Sequence, residues 1–428
     1  MLPGDKSISH RAAMIAALAA GSSRIRNFST SDDCAATLSC LQQLGIAVER
    51  DNNEVAIHGA GVDGLRELAA ALDCRNSGTT MRLLAGILSG QNFTSTLTGD
   101  KSLRQRPMQR IIEPLQMMGA SIMSHDGRAP LTIQGRKPLQ AIDYELLVAS
   151  AQVKSCILFA GLSADGRTEV IENEVTRDHT ERMLRWFDVP IETGSAEREG
   201  VNARFAAVRG PVQFKARDVS IPGDVSSAAY FIAAAALLPG SSLEVKDVGV
   251  NPTRTSFLER LRALGLDVAV TGSREEGNEP IGVVSVRGVD SPRAEGDPGA
   301  PFILDGLMIP QLIDELPLLA VVGSQTEGGI EIRDAAELRI KESDRIATTA
   351  LNLRAMGAKV GEFDDGLRVN GRTRLRGAKI DPRGDHRIAM AFAVAALLAE
   401  GETKIEDAKC VAVSFPEFFE LLESVAER

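Results

Sequence analysis

Apolar residues along this chain follow a pattern that occurs six times. Each copy begins with a short polar cluster, continues in a helix that is apolar on nearly all sides, turns at a glycine and ends in a β-branched strand. A helix that is apolar all round is typical of burial inside a protein core. We therefore expect buried helices at residues 12–20, 81–88, 153–162, 228–238, 316–322 and 388–398.

A second, amphipathic helix lies between successive buried helices and is expected on the outside of the fold. Most of these helices end in a Leu or Met followed by glycine, which adopts the left-handed backbone of a helix end easily. The helix-ending residues are Gly45, Gly119, Gly265 and Gly357, with Asp188 instead in the third copy. Helices and strands in this order predict a mixed α/β (α+β) fold of six repeated units.

The length of 428 residues predicts two domains, because a single core rarely serves more than about 250–300 residues. The simplest division gives three repeats to each domain, with a boundary at the Pro and Gly of residues 221–223. We expect a first domain at residues 4–221 and a second at residues 222–428 together with residues 1–3. If the buried helices of each domain are parallel, their N-terminal ends share one face, and two such faces would form a ligand cleft between the domains.

Composition excludes several kinds of partner. The net charge of −10 argues against nucleic acid and anionic membranes. The five cysteines form no CxxC pair, which indicates reduced thiols and argues against a structural zinc. The longest apolar run, residues 388–399, is shorter than the roughly 18 residues of a membrane span. We expect a cytoplasmic, monomeric protein without metal or cofactor that acts on small molecules.

Polar clusters at the helix starts carry the candidate chemistry. The first cluster contains Lys6, Ser7 and Arg11 and continues directly into the first buried helix. A helix N-terminus offers free N–H groups and the positive end of the helix dipole, which together suit a phosphate. A capped surface helix with solvated charges explains this cluster alone equally well. The repetition of similar clusters favours a binding site.

The next clusters add backbone access, amides and cations, and each also has a purely structural interpretation. Gly78 would let a ligand approach the backbone, although its segment could simply cap a helix. Arg106 lies in a polar loop that could simply be exposed to solvent without binding a ligand. Ser150, Gln152 and Arg177 could bind a phosphorylated polyol, or they could belong to two helix caps.

The second half of the chain adds acids as well as cations. Asp314 lies at the start of the fifth buried helix, where the helix dipole stabilises a carboxylate without any further role. Residues 338–345 alternate in charge and could form a salt-bridged surface helix with Lys341 and Arg345 on one face. Cations together with two acids suit polyanionic substrates and proton transfer without a metal. The cations are Lys6, Arg11, Arg106, Arg177, Lys341, Arg345 and Arg387, and the acids are Asp314 and Glu342.

These segments resemble the enolpyruvyl transferase family, and within it the members that act on shikimate 3-phosphate. The resemblance extends over the whole chain and rests on motifs in a fixed order. They are residues 2–11 (LPGDKSISHR), 76–79 (NSGT), 106–108 (RPM), 150–155 (SAQVKS), 339–345 (RIKESDR), 385–387 (DHR) and 414–416 (SFP). The family fold has two similar domains, each of three βαβαββ units around buried parallel helices, and it agrees with the six repeats.

The resemblance implies transfer of the enolpyruvyl group of phosphoenolpyruvate to the 5-hydroxyl of shikimate 3-phosphate, with release of phosphate. It implies that shikimate 3-phosphate contacts Lys6, Ser7, Arg11, Ser150, Ala151, Gln152, Arg177, Asp314 and Lys341. It implies that phosphoenolpyruvate contacts Lys6, Gly78, Arg106, Gln152, Arg345 and Arg387. The catalytic residues implied are Asp314, which accepts the hydroxyl proton, Glu342, which protonates the methylene carbon, and Lys6, which both ligands share.

Three features depart from the family pattern. Val413 lies where many members have a Lys that contacts phosphoenolpyruvate, and Glu337 lies where many have an Asn that contacts the shikimate ligand. The family also has a strand before its first motif, so we expect that strand to be absent here or the second domain to be completed differently.

Two other functions stay open as alternatives. The first is transfer of the same group to UDP-N-acetylglucosamine. Enzymes of that type often have a Cys in the loop before Arg-Pro, and residues 99–106 contain none. The second is a non-catalytic phosphometabolite-binding protein, which would be expected to have lost Asp314 or Glu342.

Overall fold

The computed structural model describes residues 2–198, 201–294, 297 and 299–426. Met1, which the sequence assigns to the second domain, lies outside the described residues. The α-helices are α1 (Lys6–Leu18), α2 (Asp32–Gln43), α3 (Gly78–Ser89), α4 (Gln109–Met117), α5 (Ala151–Gly161), α6 (His179–Trp186), α7 (Val225–Leu237), α8 (Ser256–Ala263), α9 (Ile309–Leu312), α10 (Leu316–Gly323), α11 (Arg345–Ala355), α12 (His386–Leu397) and α13 (Phe418–Val425). Short 3-10 helices lie at Leu103–Gln105, Gly306–Met308, Ala336–Ile340 and Ala408–Val413.

Strands alternate with these helices along the chain. In the first half they are β1 (Ala20–Arg26), β2 (Ala47–Asp51), β3 (Glu54–Ala60), β4 (Leu72–Asp73), β5 (Thr94–Thr98), β6 (Ser121–His125), β7 (Arg128–Gln134), β8 (Leu139–Gln140), β9 (Asp143–Glu145), β10 (Ala164–Glu172), β11 (Ile191–Arg198), β12 (Val201–Gly210) and β13 (Val219–Ser220). In the second half they are β14 (Ser242–Gly249), β15 (Asp267–Glu276), β16 (Glu279–Arg287), β17 (Phe302–Leu304), β18 (Ile330–Ile332), β19 (Val360–Phe363), β20 (Gly366–Val369), β21 (Lys379–Ile380) and β22 (Lys404–Ile405). The mixed α/β class predicted from the sequence is confirmed.

The chain divides into two compact units, each with its own hydrophobic core. The N-terminal unit consists of Gly4–Ile221 and Glu275–Glu279. The C-terminal unit consists of the described residues within Met1–Pro3, Pro222–Arg274 and Pro280–Arg428. The short segment at 275–279 therefore differs from its predicted assignment to the second domain. Its Glu279 Oε1 lies 2.8 Å from the buried ring nitrogen Nδ1 of His179, which attaches the segment to the N-terminal unit.

The N-terminal unit contains three sheets that repeat one arrangement. In the second repeat the chain order β4, α3, β5, α4, β6, β7 produces a sheet with strand order β4-β5-β7-β6, which is a βαβαββ unit. The third sheet has the order β11-β12-β10-β8, with β9 also paired to β10. In the first sheet, ordered β13-β1-β3-β2, the leading strand comes from the far end of the unit: Ile25 of β1 pairs in parallel with Val219 of β13.

The C-terminal unit repeats the arrangement less completely in the part of the chain that the structure describes. Its middle repeat has the full sheet, ordered β17-β18-β20-β19. The repeat before it has the sheet β14-β16-β15, and the repeat after it has only β21-β22, followed by α13. The expectation of a complete βαβαββ unit in every repeat therefore does not hold for the described residues of this unit.

The predicted buried helices are confirmed as α1, α3 and α5 in the N-terminal unit and α7, α10 and α12 in the C-terminal unit. Backbones within this layer approach closely, because a Cβ added to Gly86 of α3 would lie 2.1 Å from the carbonyl oxygen of Cys156 on α5. Most of these helices begin two or more residues before the predicted apolar run. Asp5, Ser77, Ser150, Asp224 and Asp385 cap their first turns, so the polar clusters are parts of the helix starts.

The outer helices end as predicted. The backbone of Gly45 is left-handed, with φ of 91°, and Asp188 adopts the same conformation in the third repeat, with φ of 57°. Aspartate tolerates this conformation better than most residues with a Cβ, which explains how Asp188 can replace glycine there.

Within the described ranges, no single helix combines the length and the apolar character needed for a membrane span. The segments Gly306–Leu312 and Leu316–Gly323 reach these limits only when counted together, and the chain bends by 108° between them.

Candidate active site

The first group of candidate residues lies at the start of α1 in the N-terminal unit. Asp5 caps the helix by accepting a hydrogen bond from the Ile8 N–H at 2.9 Å. Lys6 is the first helical residue, and its Nζ lies 3.0 Å from Asp33 Oδ2. The Lys6 side chain is 15% exposed, so a carboxylate holds its ammonium group at the helix start while part of it can still be reached.

Arg11 connects this helix start to two other helices. Its Nε donates to Thr180 Oγ1 of α6 at 2.7 Å, and its Nη2 donates to Ser155 Oγ of α5 at 2.8 Å. Its Nη1 donates to the backbone carbonyl of Ser7 at 2.9 Å. The buried guanidinium is thus fixed between α1, α5 and α6, directly behind the first turn of α1.

The start of α5 carries Ser150, Ala151 and Gln152. Ser150 is the cap residue and accepts a hydrogen bond from the Val153 N–H, while Ala151 is the first helical residue. Gln152 joins α5 to α3, because its Oε1 accepts from Arg82 Nη1 at 2.6 Å and its Nε2 donates to Thr79 Oγ1 at 2.9 Å. The amide therefore has one fixed orientation.

Two guanidinium groups lie against the backbone of Gly78, the first residue of α3. A Cβ added to Gly78 would lie 2.8 Å from Arg82 Nη1 and 3.3 Å from Arg106 Nη1. Arg106 follows the 3-10 helix at Leu103–Gln105, and its Nη2 donates to Asn76 Oδ1 at 2.7 Å. Two cations beside the free N–H groups of a helix start suit a small polyanion.

In the C-terminal unit, a buried arginine organises both predicted acids. Arg345 Nη2 donates to Glu342 Oε2 at 2.6 Å, and Arg345 Nη1 lies 3.5 Å from Asp314 Oδ1. Its Nε donates to the fully buried carboxylate of Asp385 at 2.8 Å. Burial works against the charge of Arg345, but these three carboxylates outweigh it and raise its pKa above the ordinary value.

Arg387 places a second guanidinium beside Asp314. Its Nη2 lies 3.8 Å from Asp314 Oδ2, and its positive charge also acts on the pKa of the buried Tyr230 phenol. Burial raises the pKa of Tyr230 to about 12, and Arg387 only partly opposes this effect. Asp314 itself lies in the turn between α9 and α10. Its carboxylate is held by two buried cations, Arg345 of α11 and Arg387 of α12.

The segment from Arg339 to Arg345 is not a single helix. A 3-10 helix covers Ala336–Ile340, Lys341 is extended, and α11 begins at Arg345. The surface-helix interpretation is therefore wrong. Helical structure is interrupted between Ile340 and Arg345, and the intervening residues place Glu342 against Arg345. Lys341 does not join the Arg345 group; its Nζ lies 3.0 Å from Glu337 Oε2.

The structure thus assembles the predicted residues into separate groups in each unit. Lys6, Ser7 and Arg11 belong to the start of α1, and Gly78, Arg106 and Gln152 surround the start of α3. Arg177 lies in the loop between β10 and α6, next to the Thr176 that follows the end of β10. In the C-terminal unit, one group contains Asp314, Glu342, Arg345 and Arg387, while Lys341 pairs with Glu337.

Several buried polar residues escaped the site assignment made from sequence. Arg82, Lys154 and Arg254 are at least 95% buried, and each lies among apolar or small residues of a helix or loop. Arg254 Nη2 donates to Ser226 Oγ at 2.7 Å, and Ser226 donates to Glu315, the residue after Asp314. For Arg82 and Lys154 the available signal was a charged residue beside an apolar run, because such a residue must find a buried partner, whereas the polar segment around Arg254 gave no such signal.

Comparison with known proteins identifies the family. A family model described as EPSP synthase (3-phosphoshikimate 1-carboxyvinyltransferase) matches residues 1–422. The 3-phosphoshikimate 1-carboxyvinyltransferase of Koribacter versatilis is 51% identical over 432 residues, covering 100% of this chain and 96% of the relative. That of Desulforamulus reducens is 47% identical over 427 residues, covering 99% and 96%. The solved EPSP synthase of Acinetobacter baumannii has a TM-score of 0.84 at 40% identity, covering 100% of this chain and 95% of that structure. The chain therefore belongs to the EPSP synthase family.

Proposed function

We propose that this chain transfers the enolpyruvyl group of phosphoenolpyruvate to the 5-hydroxyl of shikimate 3-phosphate, giving 5-enolpyruvylshikimate 3-phosphate and phosphate. This is the reaction of the 3-phosphoshikimate 1-carboxyvinyltransferases that the chain resembles over its whole length. One structural observation supports it most directly: Arg345 holds Glu342 at 2.6 Å and Asp314 at 3.5 Å, so two acids are oriented within one group of buried cations.

Shikimate 3-phosphate would use the residues at the starts of α1 and α5. A phosphate monoester carries about −1.5 to −2 charges at pH 7, and this ligand has a carboxylate as well, so several cations and hydroxyl groups are needed. The proposed contacts are Lys6, Ser7, Arg11, Ser150, Ala151, Gln152, Arg177, Asp314 and Lys341. The fixed guanidinium of Arg11 and the fixed amide of Gln152 support this assignment, since neither side chain has to be ordered by the ligand.

Phosphoenolpyruvate would use the guanidinium groups around Gly78 and those of α11 and α12. Its phosphate and carboxylate both favour bidentate arginine contacts. The proposed contacts are Lys6, Gly78, Arg106, Gln152, Arg345 and Arg387. The absence of a side chain at Gly78 lets the guanidinium groups of Arg82 and Arg106 lie against its backbone, which supports an anion contact at this helix start.

The two acids would move protons in two steps. In the addition step, the 5-oxygen bonds to C2 of phosphoenolpyruvate, Asp314 accepts the hydroxyl proton and Glu342 donates a proton to C3. In the elimination step, Glu342 takes a proton back from C3, the C2–C3 double bond re-forms and the bond between C2 and the phosphate oxygen breaks. Phosphate leaves with that electron pair and takes the proton held by Asp314, so both acids return to their starting states. Lys6, Arg345 and Arg387 would stabilise the charge that develops on the carboxylate and the leaving phosphate.

The test is phosphate release from phosphoenolpyruvate, measured with and without shikimate 3-phosphate. Asp314→Asn and Glu342→Gln are compared with the parent and with Asp267→Asn, which changes an exposed acid at the start of β15. We expect release only with both substrates, loss of at least about a hundredfold in the two acid variants and parent activity in the control. Full activity in either acid variant would refute its proposed role.

A second acceptor distinguishes the nearest alternative. UDP-N-acetylglucosamine replaces shikimate 3-phosphate in the same assay, and we expect no phosphate release with it. Release with that acceptor alone would assign the chain to the other transferase activity. Binding of shikimate 3-phosphate without turnover would instead favour a non-catalytic binding protein.

The remaining assignments concern the state of the protein. We propose that it is a cytoplasmic monomer: each unit encloses its own apolar core, and all five cysteines are free thiols, four of them buried. Sedimentation velocity should give a single species near the chain mass of 45.7 kDa. A concentration-dependent larger species would refute the monomer.

A further inference from the structure

A buried cluster of three charged residues lies behind the proposed shikimate 3-phosphate residues of the N-terminal unit. Lys154 Nζ on α5 lies 2.7 Å from Glu181 Oε1 on α6 and 3.0 Å from Glu172 Oε2 at the end of β10. The exposed fractions of these side chains are 1% for Lys154, 5% for Glu181 and 7% for Glu172. We call these residues the Lys154 cluster.

The Lys154 cluster is a costly way to fill a core. Burial works against the charge of Lys154, but the carboxylates of Glu181 and Glu172 outweigh it and raise the pKa of the amine. Apolar residues of similar volume often stabilise a core as well as a buried ion pair does. Two acidic side chains also share one ammonium group, so the cluster is more than a one-to-one ion pair. Stability alone therefore gives a poor reason for these three residues, whereas a need for fixed geometry gives a good one.

Each member of the Lys154 cluster is linked to a proposed ligand contact. Glu172 Oε2 accepts from Thr176 Oγ1 at 2.6 Å and from the Thr176 N–H at 3.2 Å, and Thr176 immediately precedes Arg177. Glu181 follows Thr180, whose Oγ1 accepts a hydrogen bond from Arg11 at 2.7 Å.

Lys154 in turn precedes Ser155, whose Oγ accepts a hydrogen bond from Arg11 at 2.8 Å and lies 2.6 Å from Thr180 Oγ1. One ammonium group thereby connects α5, α6 and the end of β10, and Glu172 extends the connection to Thr176 in the loop that follows.

We infer that the Lys154 cluster positions Arg177 and Arg11 for shikimate 3-phosphate, with Thr176 as the link to Arg177. Lys154, Glu172, Glu181 and Thr176 are positioning residues and do not contact the ligand. This inference rests on the proposed function for the identity of the ligand. It predicts that loosening the cluster weakens binding of shikimate 3-phosphate more than binding of phosphoenolpyruvate, because Gln152 is the one proposed phosphoenolpyruvate contact on an element of the cluster.

The test uses a variant that loosens the link without removing a buried charge. Thr176→Val deletes the hydroxyl that donates to Glu172 and keeps the shape of the side chain, and Thr176→Ser restores the hydroxyl. Thr168→Val is the matched control, because Thr168 is a fully buried threonine of the same unit whose hydroxyl has no hydrogen-bond partner. The dissociation constant of shikimate 3-phosphate is measured by calorimetry, and KM is measured for each substrate.

We expect Thr176→Val to weaken shikimate 3-phosphate binding by roughly 10-fold, since a hydrogen bond to a charged group is lost. The KM for phosphoenolpyruvate should stay within about twofold, a selectivity that general destabilisation would not produce. Thr176→Ser should return to the parent value, and Thr168→Val should bind like the parent.

Parent-like binding in Thr176→Val, or an equal change for both substrates, would overturn the inference. If Thr176→Val fails to fold, Glu181→Gln provides the same comparison with one charge removed and the shape retained. The proposed function is judged separately, on turnover by the parent protein. A parent that turns over both substrates while Thr176→Val is normal refutes the positioning role alone, and a parent that does not bind shikimate 3-phosphate refutes both.

Discussion

Replacement of Gly78 by alanine should separate the stability of the fold from the function of the site. Gly78 is the first residue of α3, and its φ lies outside the left-handed region, so alanine can adopt the same backbone conformation. The added Cβ would nevertheless lie 2.8 Å from Arg82 Nη1 and 3.3 Å from Arg106 Nη1. Arg82 cannot move freely, because Gln152 Oε1 holds its Nη1 at 2.6 Å and the Pro107 carbonyl holds its Nη2 at 3.3 Å.

The substitution has two opposing effects on free energy, a gain in helix propensity and the displacement of a guanidinium group. Alanine in a helix is favoured over glycine by up to about 1 kcal/mol, which offsets part of the cost of displacing a guanidinium group, so the unfolding free energy should fall by less than that cost alone. Relief of the contact requires one guanidinium group to leave its place beside the helix start. Loss of one hydrogen bond to a charged group costs roughly 1.5–3 kcal/mol, which corresponds to roughly 10- to 150-fold weaker phosphoenolpyruvate binding.

The assay is steady-state phosphate release with each substrate varied, together with urea unfolding. The matched control is Gly361→Ala in β19, where the added Cβ meets no atom within 4 Å and the backbone is not left-handed. We expect Gly78→Ala to raise the KM for phosphoenolpyruvate at least about tenfold, with Gly361→Ala unchanged. A parent-like KM in Gly78→Ala would show that the guanidinium groups beside Gly78 do not bind phosphoenolpyruvate, and the reasoning would fail.

Three further predictions concern buried groups. Lys154→Met should lower the unfolding free energy by roughly 3–5 kcal/mol in urea titrations, because two buried carboxylates lose their cation. The control Lys379→Met, which breaks the exposed pair with Glu406, should change the unfolding free energy little. Equal effects of the two substitutions would contradict the argument. Burial raises the pKa of Tyr230 from 10.0 to about 12. Between these two pH values the phenol loses its proton in the unfolded chain before it does so in the folded protein, so its contribution to stability is complete below pH 10 and is lost as the pH rises to 12. Stability of the parent should therefore fall more steeply than that of Tyr230→Phe over this range, by up to roughly 1.4 kcal/mol per pH unit, and parallel pH profiles would refute this. Burial raises the pKa of Cys34 to about 12, so a thiol reagent at pH 8 should leave Cys34 unmodified in the native protein and reach all five cysteines only after unfolding.

The buried helices were predictable because their pattern is local. An apolar run bounded by a polar cluster and a glycine identifies such a helix without any knowledge of its partners. The helix starts were less accurate: α1 begins at Lys6 rather than at residue 12, since Asp5 caps a first turn whose side chains are polar. Hydrophobicity marks where a helix is buried, whereas hydrogen bonding decides where it begins.

Charged residues inside the core were harder to place because their partners are distant in sequence. Lys154 pairs with Glu172 and Glu181, which come from a strand and a helix further along the chain. The sequence shows an isolated lysine in an apolar helix but not the side chains that neutralise it. Likewise, the alternating charges before Arg345 suggested one helix. The structure shows that helical structure is interrupted at Lys341, which allows Glu342 to accept a hydrogen bond from Arg345.

The leading strand of the first sheet has a consequence for how the protein is made. Val219 of β13 pairs with Ile25 of β1, and the neighbouring contact from Arg24 to Asp218 spans 194 residues. At about 5–20 residues per second, a ribosome needs roughly 10–40 s to synthesise that interval. During this time one edge of β1 has no neighbour, and such an edge can pair with other chains. The first sheet is therefore begun early and finished late in synthesis, and a nascent chain stalled before residue 219 should be a target for chaperones.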